Sequence, residues 1–183
     1  MRCSRAPRTW WRASKSTWTK IWGRTRICPE IGRSREEGWR LLAWPEFAAQ
    51  YSALEGEAAR LAAADPSGYP HHPRVKLFAV VRKLVSEIIP ADPNAPEFHL
   101  GNTLGPQHRH WRRARFSGRF RLFYRFHTGS RTIVYAWMND EGTLRKAGSR
   151  TDPYVVFRRM LEGGRPPSDW QDLLGEAGPF PSR

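Results

Sequence analysis

The sequence has few cysteines and no long apolar run. Its two cysteines, Cys3 and Cys28, lie near the start without metal-ligand spacing, so they predict neither a disulfide framework nor a zinc site. No stretch of about 20 apolar residues is present, which excludes a membrane-spanning helix. The first residues are basic but lack the apolar segment of a secretory signal. We therefore expect a cytoplasmic protein without a membrane partner.

Acidic residues are also scarce. The chain of 183 residues carries 31 Lys and Arg against 17 Asp and Glu, a formal net charge of +14. Such a balance predicts a polyanionic partner, which charge alone leaves open among nucleic acid, an acidic protein and an anionic membrane surface. Residues 108–131 contain no acid at all, whereas an ordinary solvated surface mixes both signs. This segment therefore favours contact with nucleic acid.

The composition changes near Gly38. Residues 1–37 hold ten Lys and Arg, three acids and neither leucine nor valine, so this segment cannot build a core. Either it is a disordered arm or sequence upstream of the true start, or it is a nucleic-acid-binding tail with interleaved tryptophans; a membrane-surface peptide is a third interpretation. We expect the folded domain at 38–183.

Regular patterns begin at residue 38 and define the predicted elements. Apolar spacings of three and four residues predict helices, and short apolar runs between turn residues predict strands. The predicted strands are 38–44, 110–116, 120–127 and 131–138, and the predicted helices are 45–64, 74–89 and 153–164. The order predicts an α/β (α+β) fold, with a small antiparallel sheet, an N-terminal helical hairpin and a C-terminal helix. We expect the helices on one face of the sheet and the other face open.

The turn after Phe116 decides how the arginines of HWRRARFSGRFRLFYRFH (110–127) are displayed. A three-residue loop, 117–119, has a glycine for the left-handed region and pairs Phe116 with Phe120. This register separates two faces, because a slip of one residue would invert every side chain. The apolar face carries Ala114, Phe116, Phe120, Leu122, Tyr124 and Phe126. The other face carries Arg113, Arg115, Arg121, Phe123 and Arg125, a predicted surface for phosphates and stacked bases.

Histidines give no metal site. The compact pairs are His71-His72 and His108-x-His110, and neither has a third ligand at a plausible spacing. The sequence therefore predicts no metal and no cofactor.

Several motifs from residue 38 to about 174 resemble one family. They are GW (38–39), TLG (103–105), HWRRARF (110–116), RFRLFYRFH (119–127), IVYAWMNDEGTLRKAGSRTDPYVVFRRML (133–161) and PPSDW (166–170). The combination resembles the YhaV-type toxins of bacterial toxin–antitoxin pairs, which are relatives of the RelE fold.

The resemblance implies an endoribonuclease that cleaves mRNA, arrests translation and is neutralised by a PrlF-type antitoxin. That antitoxin carries a swapped-hairpin DNA-binding domain, so operator DNA is bound only through it. RelE-like nucleases generally use no metal and let the RNA's own 2′-hydroxyl attack the adjacent phosphorus. Whether this chain acts on free mRNA or on the ribosome is left open.

The resemblance also implies site residues. The paired basic residues of the first active strand correspond to Arg113 and Arg115, and the basic residue of the next strand corresponds to Arg121. A later arginine and tyrosine correspond to Arg145 and Tyr154. Lysines of RelE are arginines here, and a guanidinium is a poor proton acceptor, so we expect these arginines to stabilise charge.

A group that moves the proton must be sought elsewhere. His108 and His110 are candidates because imidazole titrates near neutrality, and Tyr154 is the candidate by resemblance. The residues predicted to contact RNA are His108, Trp111, Phe123, Arg125 and Arg131. The rival hypothesis is a non-catalytic module that binds RNA or an antitoxin through the same face and acts as an operon co-repressor.

Overall fold

The elements of the fold are described for residues 38–181 in a computed structural model, so the prediction for 1–37 lies outside the described residues. Along the chain they are β1 (Arg40–Ala43), α1 (Pro45–Ala64), α2 (Pro73–Lys83), β2 (Arg112–Phe116), β3 (Phe120–His127), β4 (Thr132–Met138), α3 (Pro153–Glu162), α4 (Trp170–Glu176) and β5 (Gly178–Pro179). Helix α2 runs on through a π-helical turn, Leu84–Ile88, into one further α-helical turn, Ile89–Ala91. The α+β class is confirmed.

Helix α1 follows the predicted periodicity. It begins with Pro45 in the first turn, where a missing N–H costs nothing, and it buries Phe47, Tyr51, Leu54 and Ala58. The two N-terminal helices pack on each other, with the rings of Tyr51 and Phe78 5.6 Å apart. The predicted hairpin of helices is therefore present.

The sheet is mixed rather than antiparallel throughout. Its strand order is β2-β3-β4-β1-β5. Strand β1 runs parallel to β4, with Leu42 opposite Val134, whereas the other pairs are antiparallel. A parallel pair needs a long connection, and the chain between β1 and β4 supplies one in the helical hairpin and the β2–β3 hairpin.

The β2–β3 turn has the predicted register. Phe116 pairs with Phe120, and their rings stack at 5.6 Å. Gly118 has φ +74° and Ser117 has φ +42°, so the loop uses the left-handed region that glycine adopts without strain. Arg113, Arg115 and Arg121 therefore share one face, as expected.

The prediction of an open sheet face is wrong. Helices α1 and α2 cover one face, where the Tyr135 hydroxyl donates to the Val85 carbonyl at 2.6 Å. Helix α3 covers the other face, where Phe157 stacks on Phe123 with ring centroids 4.2 Å apart. Every residue of β4 is buried, as expected for a strand covered on both sides. The arginines therefore lie at the edge of the surface that α3 covers, rather than on a freely exposed sheet face.

Candidate active site

A buried hydrogen bond joins β2 to the start of α3. The Arg113 Nε donates to the Tyr154 hydroxyl at 2.7 Å, and the Arg113 Nη1 donates to the Glu97 carbonyl at 2.9 Å. Both side chains are buried, with 6% of Arg113 and 8% of Tyr154 exposed. Two fixed acceptors hold the guanidinium in one orientation, so it is preorganised.

Arg121 approaches the same hydroxyl from β3. Its Nη1 donates to the Gly118 and Phe120 carbonyls at 3.0 and 2.7 Å, which bends the side chain back over the turn. Its Nε is buried and has no hydrogen-bond partner among the described residues. A buried donor without an acceptor is costly, so this N–H is suited to an oxygen of a bound anion.

Arg145 completes the cluster from the segment between β4 and α3. Its guanidinium carbon lies 5.2 Å from the centre of the Tyr154 ring, and its Nη1 contacts the Asp152 carboxylate. Asp152 also caps α3 by accepting from the Tyr154 backbone N–H at 3.0 Å. The same carboxylate thus fixes both Arg145 and the helix that carries Tyr154.

The charges of the cluster change the acidity of Tyr154. Burial on its own raises the pKa of a phenol, but the nearby guanidiniums of Arg113 and Arg121 outweigh it, and the pKa of Tyr154 is lowered. Burial also lowers the pKa of Arg113. A phenol with a lowered pKa between two guanidiniums is suited to accept a proton beside an anion.

Arg115 is the exposed member of the group. It lies directly opposite Arg121 in the β2–β3 pair and on the same face as Arg113. The structure thus brings five of the predicted residues together: Arg113, Arg115, Arg121, Arg145 and Tyr154. We call these five residues the arginine–tyrosine cluster. With four guanidiniums and Asp152 as its neighbouring carboxylate, it has the charge to bind a phosphate.

The two candidate histidines lie elsewhere. His108 is buried and faces charges of the later part of α3, Arg158 and Glu162. The charges that act on His110 are those of Arg125 and Arg112, and its ring lies 6.2 Å from that of His108. Partial burial and these charges lower the pKa of His110 to about 4. A lowered pKa makes His110 mostly uncharged at neutral pH and therefore a poor general acid.

Four residues predicted to contact RNA lie outside the arginine–tyrosine cluster. Trp111 and Phe123 are fully buried against Phe157, so neither ring is open to a stacked base in this structure. Arg125 lies against the rings of Trp111 and Trp170, at 5.6 and 5.3 Å, and donates to the Ser168 carbonyl. Arg131 is exposed in the β3–β4 turn, at the end of β3 away from Arg121. None of the four joins the cluster.

Asn139 is a residue whose role the sequence reasoning missed. Its side-chain oxygen accepts from the Arg121 backbone N–H, and its Nδ2 donates to the Thr143 carbonyl at 2.9 Å. It is fully buried and ties the start of β3 to the segment that leads to Arg145. In the sequence, Asn139 directly follows an apolar strand. That position fits an asparagine that caps a turn as well as one that joins two segments, so the pattern did not distinguish the two roles. The neighbouring Asp140 does cap that turn, accepting from the Thr143 backbone N–H.

Comparison with known proteins identifies the family. A family model described as a toxin with endonuclease activity, of a toxin–antitoxin system, matches residues 41–178. The chain belongs to the YhaV toxin family. The ribonuclease toxin YhaV of Escherichia coli strain K12 is 43% identical over 144 residues, which cover 78% of this chain and 94% of the relative. The toxins YhaV of E. coli O157:H7 and of strain CFT073 give the same figures. No solved structure matches the chain.

Family membership fixes the general activity. As a YhaV-family toxin, the chain is an endonuclease of a toxin–antitoxin system and has an antitoxin as its partner. Within residues 38–181 no helix is long and apolar enough to cross a membrane. In the same part of the chain, no group of three or more His, Cys, Asp or Glu side chains is placed to hold a metal ion.

Removing the Asn139 amide from this YhaV-family chain should weaken the fold. Asn139→Ala leaves the buried Arg121 N–H without an acceptor and removes the donor from the half-buried Thr143 carbonyl, so we expect the free energy of unfolding to fall by about 1–3 kcal/mol. Urea denaturation measures this loss. Gln107→Ala changes an exposed amide and should stay within about 0.5 kcal/mol of the wild type. Equal stability of the two variants would contradict the role assigned to Asn139.

Proposed function

We propose that the chain is an endoribonuclease that cleaves mRNA without a metal ion, by attack of the 2′-hydroxyl on the adjacent phosphorus. The observation that carries this proposal is the Tyr154 hydroxyl held between Arg113 and Arg121, with its pKa lowered. The name of the E. coli K12 relative, a ribonuclease toxin, supports RNA as the substrate class.

Tyr154 is the proposed general base. Its phenolate oxygen takes the proton of the 2′-hydroxyl, the 2′-oxygen bonds to phosphorus, and the bond from phosphorus to the 5′-oxygen breaks. The products are a 2′,3′-cyclic phosphate and a 5′-hydroxyl, whose proton comes from solvent at the exposed side of the cluster near Arg115. The phenolate accepts the hydrogen bond of Arg113, lies beside the charge of Arg121, and keeps a lone pair for the substrate.

The arginines are the proposed charge stabilisers. Negative charge grows on the non-bridging phosphate oxygens in the transition state, and fixed donors in a water-poor site stabilise it without reorganisation. The buried Nε–H of Arg121 is the donor best placed for this task, since nothing in the described part of the chain occupies it. Arg113 and Arg145 act from either side of Tyr154.

We also propose the partners of the chain and its site of action. A PrlF-type antitoxin, carrying the DNA-binding domain of the pair, is proposed as the neutralising partner, on the strength of the resemblance to YhaV-type toxins. The arginine–tyrosine cluster lies beside α3 and suits a single-stranded substrate, either free mRNA or mRNA in the ribosome. Because the proposed substrate is mRNA, the proposed site of action is the cytoplasm.

Cleavage in the presence of EDTA tests the mechanism. We expect purified protein to cut mRNA in EDTA at the rate seen with Mg²⁺ and to leave 2′,3′-cyclic phosphate ends, because guanidiniums supply the charge that a metal would bring. Reactions with and without translating ribosomes show which form of the substrate is cut. The end groups are read by treatment with a phosphatase before and after opening of the cyclic phosphate. If the protein cuts free RNA with Mg²⁺, complete loss of that cleavage in EDTA would refute the metal-free mechanism, and RNA that is bound but intact under every condition would favour the non-catalytic module.

A further inference from the structure

A basic concavity lies beside the start of β2, apart from the arginine–tyrosine cluster. It has a volume of about 190 Å³ and is lined by His99, Leu100, Gly101, Arg109 and Arg112. Arg109 is exposed and Arg112 is half-buried. Two guanidiniums at the mouth of one concavity are a suitable receptor for a phosphate, which they bind in forked geometry.

Neutral oxygens, not carboxylates, hold these two guanidiniums. The Arg109 Nε donates to the Asn102 side-chain oxygen at 2.7 Å. The Arg112 Nη2 donates to the Asn94 side-chain oxygen at 2.9 Å, and its Nη1 donates to the Arg109 carbonyl at 2.8 Å. In the described part of the chain no carboxylate lies within 4.0 Å of either guanidinium. The site is thus oriented but its charge is uncompensated.

Aromatic rings lie next to the same concavity. The Arg112 guanidinium carbon is 5.5 Å from the centre of the Phe126 ring, and the Trp39 ring meets Phe126 edge-on at 5.9 Å. Phe126 and Trp39 are both half-buried, so part of each ring faces solvent. Guanidiniums beside exposed rings are typical of surfaces that hold single-stranded nucleic acid, because bases stack on aromatic faces.

The concavity and the cluster lie on opposite sides of one edge strand. Arg112 and Arg113 are neighbours in β2, and successive side chains of a strand point to opposite faces. Strand β2 is the edge strand of the sheet, and only the segment 97–99 lies along its outer side, where His99 bridges to Arg112 and the Glu97 carbonyl accepts from Arg113. A single strand of RNA that contacts both sites would therefore pass over this segment.

We propose that Arg109 and Arg112 form a second RNA subsite, which binds a backbone phosphate of a nucleotide outside the cleaved linkage, with the base of that nucleotide against Phe126 and Trp39. The inference rests on the proposed function, since it assigns the subsite to the same substrate. The adjacent rings favour RNA over an acidic protein segment, which would use the charge but not the aromatic faces.

Equilibrium binding of a 12-nucleotide RNA, 2′-O-methylated throughout so that it lacks the nucleophile, tests the subsite. The double variant R109A/R112A should bind about 10–100-fold more weakly than the wild type, because two charge-assisted contacts are lost. Its plot of log K against log salt should be shallower by about 0.7, since the one phosphate contact that is lost contributes about 0.7 on a single strand. The double variant R60A/R82A removes equal charge from exposed positions of α1 and α2 and should bind about as the wild type does.

A second set of measurements separates this inference from the proposed function. If R109A/R112A misfolds, Arg109→Glu alters an exposed side chain and should weaken binding at least as much as Arg109→Ala. Cleavage of a dinucleotide, which reaches only the cluster, should be unchanged in the Arg109 variants, whereas KM for the 12-nucleotide RNA with 2′-hydroxyls should rise. Failure of the wild type to cleave would refute the proposed function and leave the binding test intact. Equal RNA binding by wild type and variants would overturn the subsite, and a loss confined to antitoxin binding would overturn it in favour of an acidic protein.

Discussion

Replacing Tyr154 by phenylalanine should lower kcat about 10²–10⁴-fold, the usual contribution of a positioned general base. The change removes one oxygen and keeps the ring that packs on Phe123 and faces Arg145. Arg113 loses an acceptor but keeps its bond to the Glu97 carbonyl, so the fold should tolerate the variant. Initial rates of cleavage of a labelled RNA oligonucleotide measure the effect.

The pH dependence of the same variant distinguishes a base from a positioning residue. A base must be deprotonated, so the wild-type rate should rise with pH until the pKa of Tyr154 is passed. Because that pKa is lowered, the rise should end at a lower pH than an ordinary tyrosine would give. In Tyr154→Phe this limb of the profile should disappear. Tyr69→Phe removes a hydroxyl from the loop before α2 and should leave rate and profile unchanged. A profile that keeps its shape in Tyr154→Phe would exclude Tyr154 as the base.

Replacing Arg121 by alanine should lower kcat about 10²–10³-fold, the cost of removing one preorganised donor from a transition state. The variant loses the buried Nε–H that has no partner among the described residues, and it loses one of the two charges that lower the pKa of Tyr154. Both losses act in the transition state, so kcat and kcat/KM should fall by similar factors.

Two further variants test whether the placement of the Arg121 charge, or charge alone, explains the loss of rate in Arg121→Ala. Arg121→Lys keeps the charge but not the fork that donates to the Gly118 and Phe120 carbonyls, so it should recover only part of the rate. Arg131→Asn removes an arginine from the far end of β3, and asparagine accepts its φ of +46°. We expect that control to cleave at nearly the wild-type rate. Comparable losses in Arg121→Ala and Arg131→Asn would indicate that general charge, not placement, drives cleavage.

Local patterns predicted the local structure. Helix α1 and strand β3 have the expected boundaries because their periodicity and their flanking turn residues are contained in the segments themselves. The glycine of the β2–β3 turn fixed the register, which in turn placed Arg113, Arg115 and Arg121 on one face. That part of the candidate site was therefore readable from the sequence.

Tertiary placement was not readable in the same way. Phe123 alternates with arginines, so its pattern indicated an exposed face, but α3 supplies Phe157 to cover it. The continuous burial of TIVYAWM in β4 was the available signal that both faces are covered, because a half-exposed strand alternates. His110 stands next to the arginine strand in sequence, yet its position beside Arg125 rather than Tyr154 depends on where α3 packs.

Helix α3 supplies both the Tyr154 hydroxyl to the cluster and the Phe157 ring to the core, and it is the second-last helix of the described chain. During synthesis, Arg113 and Arg121 are therefore made well before the residue they are meant to activate. A growing chain that ends before Asp152 has the arginines but neither the phenol nor the carboxylate that orients Arg145. Partly made copies of this toxin that end before α3 thus cannot assemble the proposed site.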